Sequence, residues 1–377
     1  MSSSLFQPFP LSGLTLQNRV VMAPLTRARA PHDIADERTA LYYTQRATAG
    51  LIVSEGTPIS REGQGYLFNP GIFSAEQIAG WRLVTDSVHA VGGRMFAQLW
   101  HVGRVSHPTI QQDGQLPVSA SSRQPVGAQA FGRDVAGNPA LVEPPAPRQL
   151  ATDEIPRIVD TFAQAAANAI EAGFDGVEIH AANGYLFEQF MNPLVNDRSD
   201  QYAATALDDR LRFTLQVIDA VVARVGAART GIRISPYGQL FDMPLHDRID
   251  ETYTALAEQI GRRRLAYVHV MNQSGFKVGG TTVDAGGESG FDALLRQIKQ
   301  ALPATALILA GGLDRDSAEA LISEGVIDLA AFGASFISNP DLVARLRNRW
   351  ELTPPDRSTF YGGGAKGYVD YPPYQAA

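Results

Sequence analysis

The sequence predicts an α/β protein, a (β/α)₈ barrel. Short apolar runs recur eight times along the 377 residues, and stretches with helical spacing of apolar residues lie between them. Near-continuous apolar runs are typical of parallel strands covered on both faces, and this alternation is the pattern of a closed barrel. A doubly wound open sheet is the alternative. It would place a glycine-rich nucleotide turn after its first strand, where this chain has Ala23-Pro24-Leu25-Thr26.

The predicted strands are apolar runs that end in polar residues, glycine or proline. They cover residues 19–26, 50–59, 94–100, 176–181, 230–235, 266–271, 305–312 and 329–337. The predicted helices combine apolar residues at helical spacing with polar caps or acidic first turns. They cover residues 74–91, 153–172, 207–225, 251–264, 290–302, 316–325 and 342–350.

Two further segments are additions to the barrel. Residues 1–18 contain two prolines and a glycine and are expected to form a small cap over the barrel bottom. Residues 103–150 are rich in Ser, Pro, Gly and Gln, which indicates an elaborated loop after the third strand, on the catalytic face. A minimal barrel has about 250 residues, and insertions of this size are common, so we expect one domain over residues 1–377.

The composition excludes several classes of function. The net charge is −7 with no basic block, so there is no electrostatic footprint for nucleic acid and no polybasic membrane anchor. Cysteine is absent, which excludes disulfides, a thiolate nucleophile and Cys-ligated zinc or iron–sulfur clusters. The first residues do not resemble a signal peptide, and no apolar run reaches about 18 residues. We therefore expect a cytoplasmic protein with a small-molecule substrate, either a monomer or a homodimer.

Candidate reactive residues are found at the predicted strand ends, because barrels of this type carry their active sites there. They are Thr26, Gly56, Gln98, His180, Asn183, Tyr185, Arg233, His269, Gly311, Gly312 and Gly333. This set is rich in neutral hydrogen bonders and has one fixed cation. It lacks a carboxylate pair for glycoside cleavage and a Ser–His–acid triad. A cofactor is therefore implied.

The glycines at the last two strand ends indicate where such a cofactor is held. Gly311 and Gly312 end the seventh predicted strand, and Gly333 lies near the end of the eighth, where these barrels frequently bind phosphate. Tight strand–helix turns are the alternative explanation. Arg233 could face the electron-rich edge of a flavin and stabilise its anionic reduced form, or it could form a structural salt bridge.

His180, Asn183 and Tyr185 form a compact cluster at the fourth strand end. A neutral imidazole and an amide can both donate hydrogen bonds to a carbonyl or nitro oxygen, and a tyrosine hydroxyl can deliver a proton. The alternative for His180 is a core histidine without function.

From about residue 5 to 374 the chain resembles the Old Yellow Enzyme family of FMN-dependent ene-reductases. The motifs that carry the resemblance are residues 18–27, 97–104, 171–190, 196–202, 231–236, 337–346 and 360–372. The resemblance implies an NAD(P)H-dependent flavin oxidoreductase of the classical branch, in its His/Asn variant. NADPH or NADH would reduce FMN, and flavin N5 would pass hydride to the activated C=C bond of an α,β-unsaturated carbonyl or nitroalkene.

The resemblance also implies roles for individual residues. The residues at FMN would be Pro24, Leu25, Thr26, Gly56, Gln98, Arg233, Gly311, Gly312, Gly333 and Ala334. Thr26 would bond near flavin N5, Gln98 and Arg233 would hold the pyrimidine edge, and the glycines would hold the phosphate. His180 and Asn183 would bind the substrate oxygen, with Tyr185 as the proton donor. Tyr66, Trp100 and Tyr361 would be aromatic residues of the substrate pocket.

The sequence departs from the family pattern at Ala334, where an arginine usually contacts the phosphate. Loss of such a charge-assisted contact would weaken FMN binding by about 1.5–3 kcal/mol unless another group replaces it. Residues 123–140 and 237–249 diverge most and are expected to shape the substrate range.

Three other functions remain open. The same pocket would serve a nitrate-ester or nitroaromatic reductase. A metal-dependent barrel hydrolase would use His180 and His269. A flavin-binding protein without catalysis is a further alternative, suggested by Ala334.

Overall fold

The computed structural model describes residues 3–278, 281–282 and 287–375. Eight parallel strands form its central sheet, and they close on themselves because the fourth pairs with both the third and the fifth while the eighth pairs with the first. They are β1 (Val20–Met22), β2 (Leu51–Val53), β3 (Met95–Trp100), β4 (Gly176–Ala181), β5 (Thr230–Ile234), β6 (Tyr267–Met271), β7 (Ala306–Ala310) and β8 (Leu329–Phe332). The predicted (β/α)₈ barrel is confirmed.

Helices surround the barrel and follow most of its strands. They are α1 (Glu37–Thr44), α2 (Ala75–Ala90), α3 (Ile155–Glu171), α4 (Leu186–Met191), α5 (Leu207–Val225), α6 (Ile249–Arg263), α7 (Gly287–Gln300), α8 (Arg315–Ser323), α9 (Ala334–Ser338) and α10 (Leu342–Asn348). Local signals fix several ends: Ser74 and Gln77 form a capping box before α2, and Asp314 and Ser317 form another before α8. All seven predicted helices are present, with ends shifted by a few residues, whereas α1, α4 and α9 were not predicted.

Three of the predicted strands are too long. The eighth, 329–337, stops at Phe332, because Gly333 (φ −97°, ψ −93°) turns the chain into α9. A short apolar run such as 334–338 fits a strand and a buried helix equally well. The second, 50–59, is interrupted after β2, and Thr57–Pro58 then pairs separately with β3. The first ends at Met22, two residues before Pro24, which has no N–H for a ladder.

The N-terminal segment closes one end of the barrel, as the sequence predicts. Its strands Phe9–Leu11 and Leu14–Leu16 form an antiparallel hairpin. Leu11 and Leu16 are buried in the same cluster as Val21, Tyr267 and Leu329 of the barrel strands. None of the described helices is both long and apolar enough to cross a membrane.

The predicted elaborated loop after β3 contains an antiparallel hairpin, Ala130–Arg133 with Pro139–Val142. Its first strand also holds the main chain on both sides of Tyr66. Leu67 N donates to Phe131 O at 2.9 Å, and Phe131 N donates to Gly65 O at 3.2 Å. The loop after β3 therefore fixes the position of an aromatic residue that comes from the loop after β2.

Candidate active site

Strand register brings polar residues from β3 to β6 side by side. Gln98 lies opposite Glu178, His180 lies opposite Arg233, and Arg233 lies opposite His269. All five side chains are buried, with exposed fractions of 5% or less. Because side chains alternate along a strand, Glu178 and His180 share one face of β4. The apolar barrel therefore encloses one connected polar region.

The segment after β4 turns sharply to carry Asn183 and Tyr185. Asn183 has φ +60° and Gly184 φ +78°, both in the left-handed region. A Cβ on Gly184 would lie 2.3 Å from Leu240 O, so a side chain does not fit there. The turn starts α4 directly after Tyr185 and places the Tyr185 ring 5.2 Å from the His180 ring, edge to face. The His180–Tyr185 cluster is thus compact in space as well as in sequence.

Aromatic rings pack beside this cluster. Trp100 stacks on His180 at 5.9 Å and on Tyr66 at 5.3 Å, and it meets Tyr185 edge to face at 4.9 Å. The hydroxyls of Tyr66 and Tyr185 lie 3.3 Å apart. The structure therefore brings Tyr66 and Trp100 together beside the candidate proton donor.

Tyr361, the third predicted pocket aromatic, lies at the surface, close enough for its hydroxyl to raise the pKa of both Tyr66 and Tyr185. Its side chain is 62% exposed, and its ring contact is with its neighbour Phe360. Phe241, which the sequence analysis did not single out, packs on Tyr185 with ring centroids 5.2 Å apart. It belongs to the divergent segment 237–249, and divergence from the family pattern was the only sequence signal for it.

Burial controls the protonation of the cluster. It lowers the pKa of His180 well below its ordinary value, and the neighbouring Arg233 and His269 lower it further. Burial also raises the pKa of Tyr185 well above its ordinary value, and the hydroxyl of Tyr66 adds to the effect. At neutral pH the imidazole is therefore uncharged and the phenol keeps its proton. The cluster offers neutral hydrogen-bond donors.

Glu178 is a buried carboxylate that the sequence analysis missed. Its Oε1 accepts from Gln98 Nε2 at 2.7 Å, and its Oε2 lies 2.9 Å from His269 Nδ1. Burial acts to raise the pKa of Glu178, but His269, Arg233 and the Gln98 hydrogen bond together hold it below its ordinary value. A glutamate inside the apolar run 176–181 was the available signal, because a buried charge needs partners.

Arg233 is a buried cation with donors to spare. It is 5% exposed, and its side chain makes one hydrogen bond to a described residue, from Nη2 to Met271 Sδ at 3.2 Å. Burial lowers its pKa, and the charge of Glu178 opposes that shift. Arg233 Nε, His180 Nδ1 and Trp100 Nε1 are all buried without a hydrogen-bond partner in the described part of the chain. Unsatisfied buried donors are rare and point to a ligand.

The residues at the ends of β1, β7 and β8 have mostly small or apolar side chains, so these strand ends offer the candidate site mainly main-chain groups. Gly311 has φ +104°, and a Cβ there would lie 2.1 Å from Asn272 O; Gly312 has φ +69° and open space around it. Ala334 is exposed and begins α9 directly after Gly333. Pro24, Leu25 and Thr26 are partly buried after β1.

Gly56, predicted along the cofactor ring, abuts Trp100: a Cβ there would lie 2.4 Å from Trp100 Cε3. Its carbonyl accepts a hydrogen bond from Asn69 Nδ2. The indole therefore requires a glycine at this position whether or not a cofactor touches it.

These features fit FMN. Exposed glycine turns can surround a phosphate with N–H groups, and the unpaired guanidinium donors suit an electron-rich ring edge. Across the described ranges, no group of three or more His, Cys, Asp or Glu residues is arranged to hold a metal ion. Of the two histidines in the hydrolase alternative, His269 already pairs with Glu178.

Replacement of Gly311 by alanine is expected to destabilise the protein by roughly 1–3 kcal/mol and to weaken FMN binding, because the chain must move to accommodate Cβ. Gly312→Ala is the matched control. It lies in the same turn with free space for Cβ, so only the positive φ opposes it. Melting temperatures and FMN titrations of both variants test this. Equal effects of the two substitutions would contradict the steric argument.

Comparison with known proteins agrees with the fold. A family model described as NADH:flavin oxidoreductase / NADH oxidase matches residues 4–352. The chain is 41% identical to 12-oxophytodienoate reductase 1 of Oryza sativa subsp. japonica over 98% of this chain and 92% of the relative. Morphinone reductase superposes with a TM-score of 0.92 at 43% identity, covering 99% of this chain and 97% of the other. The Old Yellow Enzyme homologue from Zymomonas mobilis superposes with a TM-score of 0.90 at 36% identity, covering 98% of this chain and 99% of the other.

The family model spans most of the chain, and relatives at this identity cover nearly all of it. The chain therefore belongs to the NADH:flavin oxidoreductase / NADH oxidase family, the Old Yellow Enzyme family that its motifs indicate.

Proposed function

We propose that this protein is an FMN-dependent NAD(P)H ene-reductase that reduces activated C=C bonds of α,β-unsaturated carbonyls or nitroalkenes. The observation that carries the proposal is the pocket at the end of β4, where the neutral donor His180 and the protonated phenol Tyr185 lie against Trp100 and Tyr66. Two of the relatives named above are 12-oxophytodienoate reductase 1 and morphinone reductase, and morphinone reductase is known in complex with tetrahydroNAD.

Bound FMN would supply the hydride chemistry, taking two electrons from NAD(P)H for transfer to a substrate carbon. Gln98 and Arg233 would hold its pyrimidine edge. Glu178 occupies the Gln98 amide NH₂, which leaves the Gln98 carbonyl oxygen as an acceptor. Pro24, Leu25, Thr26 and Gly56 would line the ring. Main-chain N–H groups of Gly311, Gly312, Gly333 and Ala334 would hold the phosphate.

His180 and Asn183 would bind the substrate's carbonyl or nitro oxygen. Gln273 Nε2 donates to Asn183 Oδ1 at 3.0 Å, which leaves the Asn183 NH₂ as the donor for a ligand. Hydrogen bonds to that oxygen draw electrons from the conjugated double bond and make its β-carbon electrophilic. Tyr185 would then protonate the α-carbon, so that hydride and proton together saturate the C=C bond.

The double variant His180→Ala with Asn183→Ala is expected to bind FMN normally and to reduce a cyclic enone with kcat/KM about 30-fold lower. Each lost neutral hydrogen bond contributes about 1 kcal/mol. The visible spectrum before and after anaerobic NADPH reports the bound cofactor and its reduction, so it separates binding from turnover. Normal turnover of the enone by the double variant would show that these residues do not bind the substrate.

A parallel assay with a nitrate ester tests the alternative reductase chemistry of the same pocket. If the wild-type protein reduced the nitrate ester but left the cyclic enone unchanged, the ene-reductase assignment would be wrong. Yellow protein that NADPH does not bleach would indicate flavin binding without catalysis.

A further inference from the structure

Glu188 is a second buried carboxylate close to the candidate site, and the mechanism above does not use it. It lies in α4, three residues after Tyr185, and is 4% exposed. It lines a small cavity that none of the proposed substrate-binding residues borders. Its side chain therefore faces a cavity separate from the proposed substrate-binding residues, where it would not meet the substrate.

Three donors converge on the Glu188 carboxylate. Ser235 Oγ donates to Oε1 at 2.6 Å, and the Tyr253 hydroxyl donates to the same oxygen at 2.9 Å. The main-chain N–H of Gly184 donates to Oε2 at 2.5 Å. The donors come from the end of β5, from α6 and from the turn after β4, so the carboxylate connects three separate elements.

Ser235 extends this connection to Asn183. Its Oγ accepts from Asn183 N at 2.7 Å while donating to Glu188. The N–H groups of Asn183 and Gly184, the two residues with positive φ, are thus both anchored to the same buried pair. A non-glycine residue adopts this backbone conformation only where its surroundings compensate for the strain.

We propose that Glu188 and Ser235 are positioning residues that hold the Asn183 amide and the Tyr185 phenol in place for substrate binding and proton transfer. The proposal rests on the proposed function. A purely structural role is the alternative, since any satisfied buried carboxylate stabilises its surroundings. The positioning and structural roles differ in what is lost when the hydrogen bonds of Glu188 and Ser235 are removed. A positioning role predicts loss of substrate-site ligand affinity with FMN binding intact.

The test uses the FMN-loaded enzyme and Ser235→Ala, which removes the anchor of Asn183 N. We expect the Kd of cyclohexanone, an unreactive ketone probe read from flavin absorbance, to rise about fivefold, the effect of one hydrogen bond. KM for cyclohexenone should rise in parallel, and FMN affinity should stay unchanged. Hydrogen–deuterium exchange at the Asn183 amide should accelerate roughly tenfold.

Thr214→Val is the matched control, because the Thr214 hydroxyl is buried, has no hydrogen-bond partner in the described chain and lies on α5. It should leave ketone affinity and Asn183 exchange unchanged. Glu188→Gln is the second variant. Its single amide oxygen cannot accept from Gly184 on one side and from Ser235 and Tyr253 on the other, so it should reproduce the Ser235→Ala effects, and Glu188→Asp should restore part of them.

Unchanged ketone affinity in Ser235→Ala would overturn the proposal, as would a loss of FMN affinity as large as the loss of ketone affinity. Wild-type enzyme that failed to reduce cyclohexenone would overturn the proposed function. In that case the hydrogen–deuterium exchange rates of the Asn183 and Gly184 amides would still show whether Ser235 and Glu188 anchor these two main-chain groups.

Discussion

Tyr185→Phe is expected to slow enone reduction roughly 100-fold to 10,000-fold, the usual contribution of a general acid. Tyr185 is 6% exposed, and its pKa lies well above the ordinary value, so it keeps its proton at neutral pH. Phenylalanine preserves the ring contacts with Trp100 and His180 and removes only the hydroxyl. Reduction of the bound flavin by NADPH needs no proton from this residue and should continue at the wild-type rate.

Stopped-flow absorbance separates the two half-reactions and checks this expectation directly. Tyr66→Phe is the matched control, because it removes the other hydroxyl of the 3.3 Å pair and keeps the stacking on Trp100. We expect a smaller loss there, since the Tyr185 donor remains. If the enone reoxidised the Tyr185→Phe flavin as fast as in wild type, the proton would have to come from another group, and a slow Tyr66→Phe would identify Tyr66.

Much of the fold was predictable because its signals are local. Capping residues and apolar spacing lie within a few positions of one another, and α2 and α8 begin at the caps that the sequence offers. The errors arose where local patterns are ambiguous. The run 329–337 is short and apolar, and only the conformation of Gly333 decides that its second half forms a helix. Helix α1 follows a capping box at Asp36 and Thr39, a signal that the sequence analysis overlooked.

The candidate site was predictable to the extent that barrels place reactive residues at strand ends. His180 and Arg233 are paired across neighbouring strands, as that rule suggests. Glu178 and Glu188 were missed, because the partners that stabilise a buried carboxylate are mostly distant in sequence: His269 is 91 positions from Glu178. Tyr361 is assigned to the substrate pocket by the resemblance alone. It is largely exposed, and its hydroxyl acts on the pKa of Tyr185, so its place in the pocket stays a prediction.

Arg233→Met is expected to weaken FMN binding about 10-fold to 100-fold and to shift the reduction potential of the bound flavin roughly 40 mV more negative. The first figure corresponds to a charge-assisted hydrogen bond of 1.5–3 kcal/mol, about tenfold per 1.4 kcal/mol. The second corresponds to about 2 kcal/mol in a two-electron couple. Methionine keeps most of the apolar volume, whereas the cation that we propose faces the electron-rich ring edge is lost.

Arg233→Lys distinguishes charge from geometry. Lysine keeps the cation but not the planar array of donors. The variant should therefore keep a flavin reduction potential close to that of wild type while losing part of the FMN affinity. Titration with FMN and spectroelectrochemistry measure the two quantities separately. If the flavin reduction potentials of Arg233→Met and Arg233→Lys both equalled that of wild type, Arg233 would not face the flavin. Its buried charge would then serve mainly to balance Glu178. Arg233→Met should in either case raise the pKa of His269, because the charge of Arg233 lowers it in the wild-type protein.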